Sequence, residues 1–525
     1  MKTIYKFILA GSLCVSALSS CIKDSVNQDP NNPPAVPSNM LMSGAEKWVV
    51  DNVYDVWFSG RQCLPYAQYW CQRNYTEEDR YQIRESTNNS YFNYLYMGVA
   101  NLIQVERENI DPATAPGNSA YGANANQIAA AKILKVWLMD IITDTWGSVP
   151  YTDVAKLASE DVYYCKYDDQ KELYGTLISE LDAAVDMIDE SEPAFTSGDI
   201  IYGGDASQWK KFGNSLKCRL AIHMSKVDPS WKSLIAEAVA SGVFEGNEDA
   251  ATYQYSASGT DYCKLYEGFY VDGRNDFTIT KPFANLLMGV ADNLNGKSHP
   301  WEGTRDPRAD IFSPGVTKGV PYGAPSIYSA KLRAGTPNWY STQPGHLNPD
   351  FKIPLMTYAE LQFILSEYKG FSDAEFKAGI EASIDYWADA YGKSVSAADK
   401  AAYIAAVGTA TAEKVAVQKY IDLWLNGTEA WTEIRRTGYP EQVLRPGEYT
   451  CEDPNDASAE PIKFTALSEV KGDIIARVKY PTNESTLNGE NWKAAVAKLQ
   501  DGTNNYYSKM FWDVRTSTYD HPANK

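Results

Sequence analysis

The stretch from Gln127 to Ile142 limits the possible folds of this chain more than any other. Apolar residues recur along it at helical spacing and spread to neighbouring positions: Ile128, Ala131, Ile133, Leu134, Val136, Trp137, Leu138 and Ile141. A helix that is apolar nearly all round leaves no face for water, so it must be buried. The sequence therefore predicts a buried helix within a mainly α-helical protein.

Helix pairs joined by short turns are the second recurring feature. Tyr358 to Lys369 and Asp373 to Tyr391 are predicted helices, and only Gly370-Phe371-Ser372 separates them. Pairs of about 34 residues with short turns are typical of tetratricopeptide-type repeats. The small and large apolar positions fit that repeat, but its consensus Trp and Pro are absent. We interpret the pairs as degenerate tetratricopeptide-type repeats that form a helical frame.

The chain between Gly242 and Pro354 interrupts the helical pattern. Gly242 to Thr278 and Asn293 to Pro354 are rich in Gly, Pro, Asn, Ser and Tyr, and one short predicted helix, Lys281 to Val290, lies between them. Long irregular segments in a compact protein tend to carry function. The predicted fold is therefore a mainly α frame with a large irregular, loop-rich region inserted.

The N-terminus has the pattern of an export signal. Lys2 and Lys6 precede a short apolar run, Phe7 to Val15, and Leu18-Ser19-Ser20 leads to Cys21. The run is too short to span a bilayer, which takes about 20 residues, and the pattern is typical of a secretory signal. The cysteine after Leu-Ser-Ser resembles a bacterial lipoprotein leader, which implies a signal peptide over residues 1–20 and a lipid, palmitate included, on Cys21. An ordinary secreted protein cut near Ser20 is the alternative.

Residues 21–37 have the composition of a flexible linker. Asp29-Pro30-Asn31-Asn32-Pro33-Pro34 excludes a helix or a central strand. From residue 38 onwards apolar residues recur at helical spacing again, and Ser38 and Asn39 are candidate caps for a helix from Met40 to Val56. We therefore assign residues 38–525 to one folded unit.

Charge and cysteine usage exclude several classes of protein. The chain has 48 Lys and Arg against 67 Asp and Glu, a formal net charge of −19, which repels phosphate backbones and excludes a general nucleic-acid binder. It also repels anionic membranes, so attachment must come from the lipid. The six cysteines beyond Cys21 are thinly spread and predict free buried thiols: Cys63, Cys71, Cys165, Cys218, Cys263 and Cys451.

No catalytic signature was found in the sequence. Phosphate loops, dinucleotide-binding glycine patterns and nucleophile elbows are missing. The four histidines, His223, His299, His346 and His521, share no ligand spacing, so the sequence predicts neither a metal site nor a cofactor. A glycosidase needs only two well-placed carboxylates. We expect a protein that is not an enzyme, with a surface-anchored glycan-degrading enzyme and a purely structural surface protein as alternatives.

Several segments, in order, resemble the SusD/RagB family of outer-membrane nutrient-binding lipoproteins, specifically its SusD-like second branch. They are Asp29 to Ser38, Thr143-Asp144-Thr145-Trp146-Gly147-Ser148-Val149-Pro150-Tyr151, Trp209 to Leu220, Asp306-Pro307-Arg308, Met356 to Phe363 and Glu429 to Pro440. Ser148 stands where that branch usually has Asp. Arg435 and Arg436, with Glu433, are expected to lock helix to loop, and Asn214 to Leu220 is expected to be a packed helix.

The resemblance implies a function and partners. It implies that residues 38–525 are a nutrient-binding domain held on the outer face of the outer membrane by the lipid on Cys21. It implies a lid over a SusC-like TonB-dependent transporter, with an oligosaccharide as ligand and a peptide as the alternative. No bond is broken in such a cycle.

Aromatic residues are the candidates for ligand binding, because their flat faces stack on sugar rings or apolar side chains. The chain has 36 Tyr and 14 Trp, and two groups lie in loops. The first group is Trp57, Tyr66, Tyr69, Trp70 and Tyr75. The second comes from the irregular region and is Arg274, Trp301, Tyr322, Trp339 and Tyr340. Each residue has a core or transporter-facing role as its alternative.

Overall fold

The computed structural model describes residues 36–515, apart from 73, 157–159, 161, 258, 275 and 329–346. The predicted signal peptide, Cys21 and nearly all of the linker lie outside the described residues. Trp339 and Tyr340 lie outside them as well. No helix of the described part is both long and apolar enough to cross a bilayer.

The described chain is mainly helical, which confirms the predicted fold class. The helices of eight or more residues are α1 Ser38–Val53, α2 Glu85–Ile110, α3 Asn124–Trp146, α4 Gln170–Asp186, α5 Ala206–His223, α6 Trp231–Ser241, α7 Lys281–Met288, α8 Tyr358–Tyr368, α9 Asp373–Ala390, α10 Ala397–Val407, α11 Ala412–Asp422, α12 Gly427–Thr437 and α13 Gly489–Ala497. Shorter α-helices are Leu64–Tyr66, Thr76–Asp79, Ala115–Asn118, Lys264–Tyr266, Ala309–Phe312 and Glu484–Leu487.

Helix α3 is buried, as its apolar composition predicts. Every residue from Ile133 to Trp146 is buried, and α3 packs against α2, α4 and α5. The indole N–H of Trp137 donates to the Leu355 carbonyl at 3.2 Å, so even its polar group is satisfied inside the protein. This helix is the centre around which the others lie.

Neighbouring helices approach closely where one of them carries glycine. A Cβ at Gly379 of α9 would lie 2.7 Å from the Phe363 ring of α8, and one at Gly98 of α2 would lie 2.7 Å from Val49 of α1. A missing side chain lets the partner's side chain fill the groove between helix axes. The α8–α9 pair is the helix hairpin that the sequence predicts around Gly370.

The strands form four antiparallel two-stranded pairs. They are β1 Trp70–Gln72 with β5 Phe277–Ile279, β2 Val149–Pro150 with β3 Tyr167–Asp168, β4 Ala251–Gln254 with β6 Lys352–Met356, and β7 Tyr449–Cys451 with β8 Ile462–Lys463. The β4–β6 pair places Ala251 opposite Met356, so it closes the irregular region at its two ends. The β1–β5 pair joins that region to the aromatic-rich segment after α1.

Buried ion pairs tie the helices together. The Arg219 guanidinium of α5 donates to both Glu360 carboxylate oxygens of α8 at 2.7 Å. Arg436 of α12 makes the same forked contact with Glu367 at 2.7 Å, and Arg435 donates to the carbonyls of Asp144 and Ala476 at 2.9 Å. The predicted structural role of Arg435 and Arg436 is confirmed by these contacts.

Local features at helix starts and at the cysteines agree with the sequence-based expectations only in part. Ser38 begins α1 and accepts no capping bond, because the residue before the helix is Pro37 and the Ser38 N–H donates to Asn118 Oδ1 at 3.0 Å. Helix α10 was not predicted, although Ser396 accepts from the Asp399 N–H at its start. Ser148 accepts from the Gln170 N–H at 3.2 Å, where α4 begins. The six described cysteines are free and buried, as predicted.

Candidate functional site

Two distant segments meet at one surface. Strand β1 lies within the aromatic-rich segment after α1, and strand β5 belongs to the irregular region; Trp70 pairs with Ile279 and Gln72 with Phe277. Beside the strands, the Asn74 side-chain amide donates to Asp276 Oδ1 at 3.2 Å. The pairing brings residues 55–84 and 262–279 together.

Each of these two segments contains a turn of π-helix, Ser59–Cys63 in one and Glu267–Val271 in the other. The first is held by Asp55, whose Oδ1 accepts from the N–H groups of Phe58 at 2.9 Å and Ser59 at 2.8 Å. The second lies against Val56, because a Cβ at Gly268 would be 2.1 Å from Val56 Cγ2. Single π-turns occur frequently at functional sites.

The two segments expose an aromatic surface flanked by guanidinium groups. The Arg61 Cζ lies 4.8 Å from the centre of the Trp57 ring and 5.8 Å from that of Tyr75. The Arg274 Cζ lies 5.0 Å from the Trp57 ring. Trp57 is 43% exposed and Tyr75 is 49% exposed, whereas Arg61 is buried. We name these four residues, Trp57, Arg61, Tyr75 and Arg274, the Trp57 platform.

Glu78 holds the Arg61 side chain in place. The Arg61 Nη1 lies 3.4 Å from Glu78 Oε2, the Gln72 side-chain amide donates to the same oxygen at 2.6 Å, and Arg84 Nε reaches Glu78 Oε1 at 2.6 Å. Burial lowers the pKa of Arg61, and the Glu78 charge opposes that shift. The charge of the buried guanidinium is therefore compensated and its position is fixed, so the Trp57 and Tyr75 rings lie against a fixed group.

The loop that carries Tyr75 is built with unusual backbone angles. Gln68, Tyr75 and Tyr81 have φ of 59°, 60° and 70°, a region that side-chain-bearing residues rarely adopt. The start of the loop is fixed by the C-terminal part of the chain: the Gln68 side chain exchanges hydrogen bonds with the Leu444 backbone at 2.7 and 2.9 Å. Such backbone strain persists where the surroundings hold it, often at functional sites.

Five of the predicted site residues lie in the core instead. Tyr66, Tyr69, Trp70, Trp301 and Tyr322 are buried. The Tyr69 ring stacks on Tyr420 at 4.7 Å between centroids, and the Trp70 indole N–H donates to the Gly60 carbonyl at 2.8 Å. Because they have no exposed ring face, we correct the prediction that these residues contact a ligand. Trp57, Tyr75 and Arg274 are the predicted site residues that the structure brings together at the surface.

The sequence prediction missed Arg61 and a neighbouring series of tyrosines. Tyr262, Tyr266 and Tyr270 are spaced by four residues, and their successive ring centroids are 5.4 and 5.3 Å apart. Tyr270 is 43% exposed. The four-residue spacing is a signal for one helical face, but the composition of the irregular region concealed it.

The Trp57 platform is thus an exposed aromatic surface on a mainly helical frame. The family profile described as SusD-like_2, starch-binding associating with outer membrane, matches residues 30–461. The chain belongs to this SusD-like family. Among curated protein sequences, none matches this chain.

Solved structures share the fold along nearly the whole chain. A SusD homolog from Parabacteroides distasonis has a TM-score of 0.71 and 21% identity, over 92% of this chain and 99% of that one. A chitin-binding protein has a TM-score of 0.70 and 22% identity, over 91% and 100%. A chitin-binding SusD homolog from Flavobacterium johnsoniae has a TM-score of 0.66 and 22% identity, over 91% and 100%.

Proposed function

We propose that this protein captures an oligosaccharide at the Trp57 platform and delivers it to a SusC-like TonB-dependent transporter. One observation carries the proposal: Trp57 and Tyr75 keep large exposed ring areas beside the guanidinium groups of Arg61 and Arg274. Membership of a family described as starch-binding supports a glycan as the ligand. So do the names of the two chitin-binding neighbours.

The chemistry of the platform suits a sugar ring. The apolar face of a pyranose stacks on an indole or phenol ring, and guanidinium N–H groups donate to hydroxyl oxygens around its edge. Arg274 is only partly buried, so its donors can reach a ligand that lies on Trp57. A peptide is the alternative ligand, because the same guanidinium groups bind carboxylates in forked geometry.

A binding protein that breaks no bond fits the platform better than an enzyme does. The platform offers two guanidinium groups and two rings, whereas glycoside hydrolysis uses a pair of carboxyl groups about 5–10 Å apart. The enzyme alternative would act elsewhere, for example in a cavity of about 590 Å³ lined by Glu248, Asp350, Asp385 and Asp389. New reducing ends after incubation with glycans would support that alternative.

The anchor and the partner complete the proposed cycle. Cys21 carries the lipid, and the 16 residues of linker after it reach about 50 Å when extended, which lets the folded body tilt like a lid. We expect the Cys21→Ala variant to be released from the membrane fraction. Nutrient uptake should then be impaired, while the soluble variant should still bind the ligand. Persistent membrane attachment of that variant contradicts the anchor. Co-purification with a barrel protein in mild detergent tests the partner.

The ligand is tested by titration calorimetry with separate series of maltooligosaccharides, chitooligosaccharides and acidic peptides. Saturable binding of one sugar series, without new reducing ends, supports the proposal. Binding of the peptides alone favours the alternative ligand. Cleavage of a bound glycan by the purified protein contradicts a pure binding function.

A further inference from the structure

Two helices bring a nitrogen and two carboxylate oxygens together in the core, far from the Trp57 platform in sequence. Asp140 and Asp144 lie four residues apart on α3 and share one face, and His223 ends α5. The His223 Nδ1 lies 3.5 Å from Asp144 Oδ2 and 3.8 Å from Asp140 Oδ1. All three donor atoms lie within 4.8 Å of one another.

The two oxygens that face His223 have no hydrogen-bond partner. Asp140 Oδ1 and Asp144 Oδ2 are buried atoms without a partner among the described residues, and both residues are only 2% exposed. An unpartnered buried carboxylate oxygen is costly, because it loses its water and gains nothing in return. Two such atoms that point at one imidazole nitrogen require an explanation.

The opposite sides of His223 and Asp144 are held by neighbours. His223 Nε2 lies 3.0 Å from Glu429 Oε1 of α12. Asp144 Oδ1 accepts from the Tyr174 hydroxyl at 2.7 Å and from the Trp512 indole N–H at 3.1 Å. A histidine that ligates a metal nearly always donates its other N–H to a carboxylate or carbonyl, and ligating carboxylates are hydrogen-bonded in turn. The contacts of His223 and Asp144 have this pattern.

We propose that Asp140, Asp144 and His223 bind one divalent transition-metal ion of the Zn²⁺ class. One imidazole nitrogen and two carboxylate oxygens are ligands that zinc accepts, with a water or the Tyr174 hydroxyl, 3.1 Å from Nδ1, available near the fourth position. Zinc bonds of about 2.0–2.1 Å in a tetrahedron separate ligand atoms by roughly 3.3 Å. The Nδ1–oxygen separations of 3.5 and 3.8 Å need a small contraction, and the two carboxylate oxygens, which lie within 4.8 Å of each other, have to approach to the same spacing.

Carboxylates and cations both surround the three ligands, and the buried Lys419 lies 3.2 Å from Glu433 Oε1 and 3.5 Å from Glu429 Oε1. Glu429 and Glu433 face His223 from α12 at 3.0 and 3.8 Å, and Arg219 lies 4.0 Å from Asp140 Oδ2. Burial lowers the pKa of His223, but the carboxylates of Glu429, Asp140 and Asp144 outweigh it. A metal ion and a proton compete for His223 Nδ1, because a histidine must be deprotonated at the nitrogen that ligates a metal.

The proposed ion stabilises the frame and takes no part in ligand capture. It ties α3 to α5, and through Glu429 it also fixes α12. Because His223 is fully buried, the ion has to enter while the chain folds, not by diffusion into the folded protein. This role is independent of the proposed function.

The test is metal content after refolding. The purified protein is unfolded in denaturant with chelator and refolded with Zn²⁺, Mn²⁺ or Mg²⁺, then dialysed and analysed by mass spectrometry of the metals. We expect about one zinc per chain and a higher midpoint of thermal unfolding than after refolding with Mg²⁺. Refolded protein with less than about one-tenth of a zinc per chain overturns the proposal.

Variants localise the ion. The zinc content of His223→Gln and Asp144→Asn should be at least tenfold lower than that of the wild type. The control variant Glu46→Gln, which alters a buried carboxylate on α1, should retain its zinc. Retention by both site variants places the ion elsewhere and overturns the assignment. If the site variants fail to fold, the wild type refolded with Co²⁺ decides: visible absorption typical of nitrogen and oxygen ligands supports the site, and its absence contradicts it.

Discussion

The buried guanidinium of Arg61 lies 4.8 Å from the centre of the exposed Trp57 ring. Arg61 is 2% exposed and is fixed by Glu78, while Trp57 is 43% exposed. A cation over an aromatic face stabilises the ring orientation by about 0.5–2 kcal/mol, more when it is desolvated. The contact therefore orients Trp57 before any ligand arrives, and an oriented ring loses less conformational freedom on binding.

Trp57→Ala should weaken oligosaccharide binding by a factor of about 5 to 150. The loss of one stacked ring removes roughly 1–3 kcal/mol by analogy with other stacking surfaces. The free energy of unfolding should fall by no more than about 2 kcal/mol, because the side chain is half exposed and the lost cation–π contact contributes about 0.5–2 kcal/mol. Calorimetry gives the affinity and urea unfolding gives the stability. Unchanged affinity in this variant removes Trp57 from the site.

Trp70→Ala is the matched change in the same segment and should behave in the opposite way. Trp70 is fully buried against Phe269 and Phe277, so the variant should lose about 3–5 kcal/mol of unfolding free energy. A variant that keeps wild-type stability but loses ligand binding would reinstate the sequence-based prediction that Trp70 contacts the ligand.

Gly268→Ala should push the π-helical turn Glu267–Val271 away from Val56. The new Cβ would lie 2.1 Å from Val56 Cγ2, and such overpacking costs about 1–3 kcal/mol. Adding Val56→Ala should restore part of the loss. Gly175→Ala in α4, where no atom lies within 4 Å of the new Cβ, should be neutral or stabilise by about 0.5–1 kcal/mol. Equal stability of both glycine variants argues against close packing at Gly268.

Glu360→Gln should destabilise the helical frame by about 3 kcal/mol, because the Arg219 charge then stays buried without its forked partner. The exposed pair Lys210–Glu190 provides the control, and Glu190→Gln should cost less than about 1 kcal/mol. Chemical denaturation measures both variants. A small loss of unfolding free energy for Glu360→Gln would contradict this expectation and would indicate that Asp140 and Glu429 compensate the Arg219 charge.

Asp55→Asn should change how stability depends on pH. Burial raises the pKa of Asp55 to about 6, although the backbone N–H groups of Ser59, Phe58 and Trp57 oppose the shift. The folded state therefore binds this proton more tightly than the unfolded state. The resulting stabilisation is complete below about pH 4 and is lost as pH rises through about 6.

The asparagine cannot titrate, and its Oδ1 can still accept from the Phe58 and Ser59 N–H groups. The free energy of unfolding of the variant, minus that of the wild type, should rise by up to about 3 kcal/mol as the pH increases from 4 to 7. Unfolding curves across that range measure the difference. A difference that does not vary with pH contradicts the shifted pKa.

The frame could be predicted from sequence because its signals are local. The apolar surface of α3 and the turn at Gly370 are periodic patterns that need no knowledge of distant contacts. The resemblance also located Arg435 and Arg436, whose forked and carbonyl contacts hold α12 in place. Helix α10 escaped because it is short and buries only Tyr403 and Val407, so its apolar pattern is weak.

The site could be predicted only in part, because burial of a loop aromatic depends on distant pairing. Trp57 and Trp70 come from one aromatic-rich stretch, yet β1 pairs with β5, 200 residues away, and that pairing buries Trp70 and leaves Trp57 outside. Arg61 had no signal in the sequence, since its role comes from the geometry of a π-turn. The three proposed metal ligands also escaped, because they come from two helices and only one is a histidine.

The structure of the protein in complex with the oligosaccharide that binds in calorimetry tests the central claim most directly. We predict a sugar ring stacked on Trp57 at about 3.5–4 Å, with hydroxyl groups within hydrogen-bond distance of Arg274 and with Tyr75 against the ligand. A ligand bound elsewhere, such as in the acidic cavity beside Asp385 and Asp389, with Trp57 still open to solvent, would contradict the account.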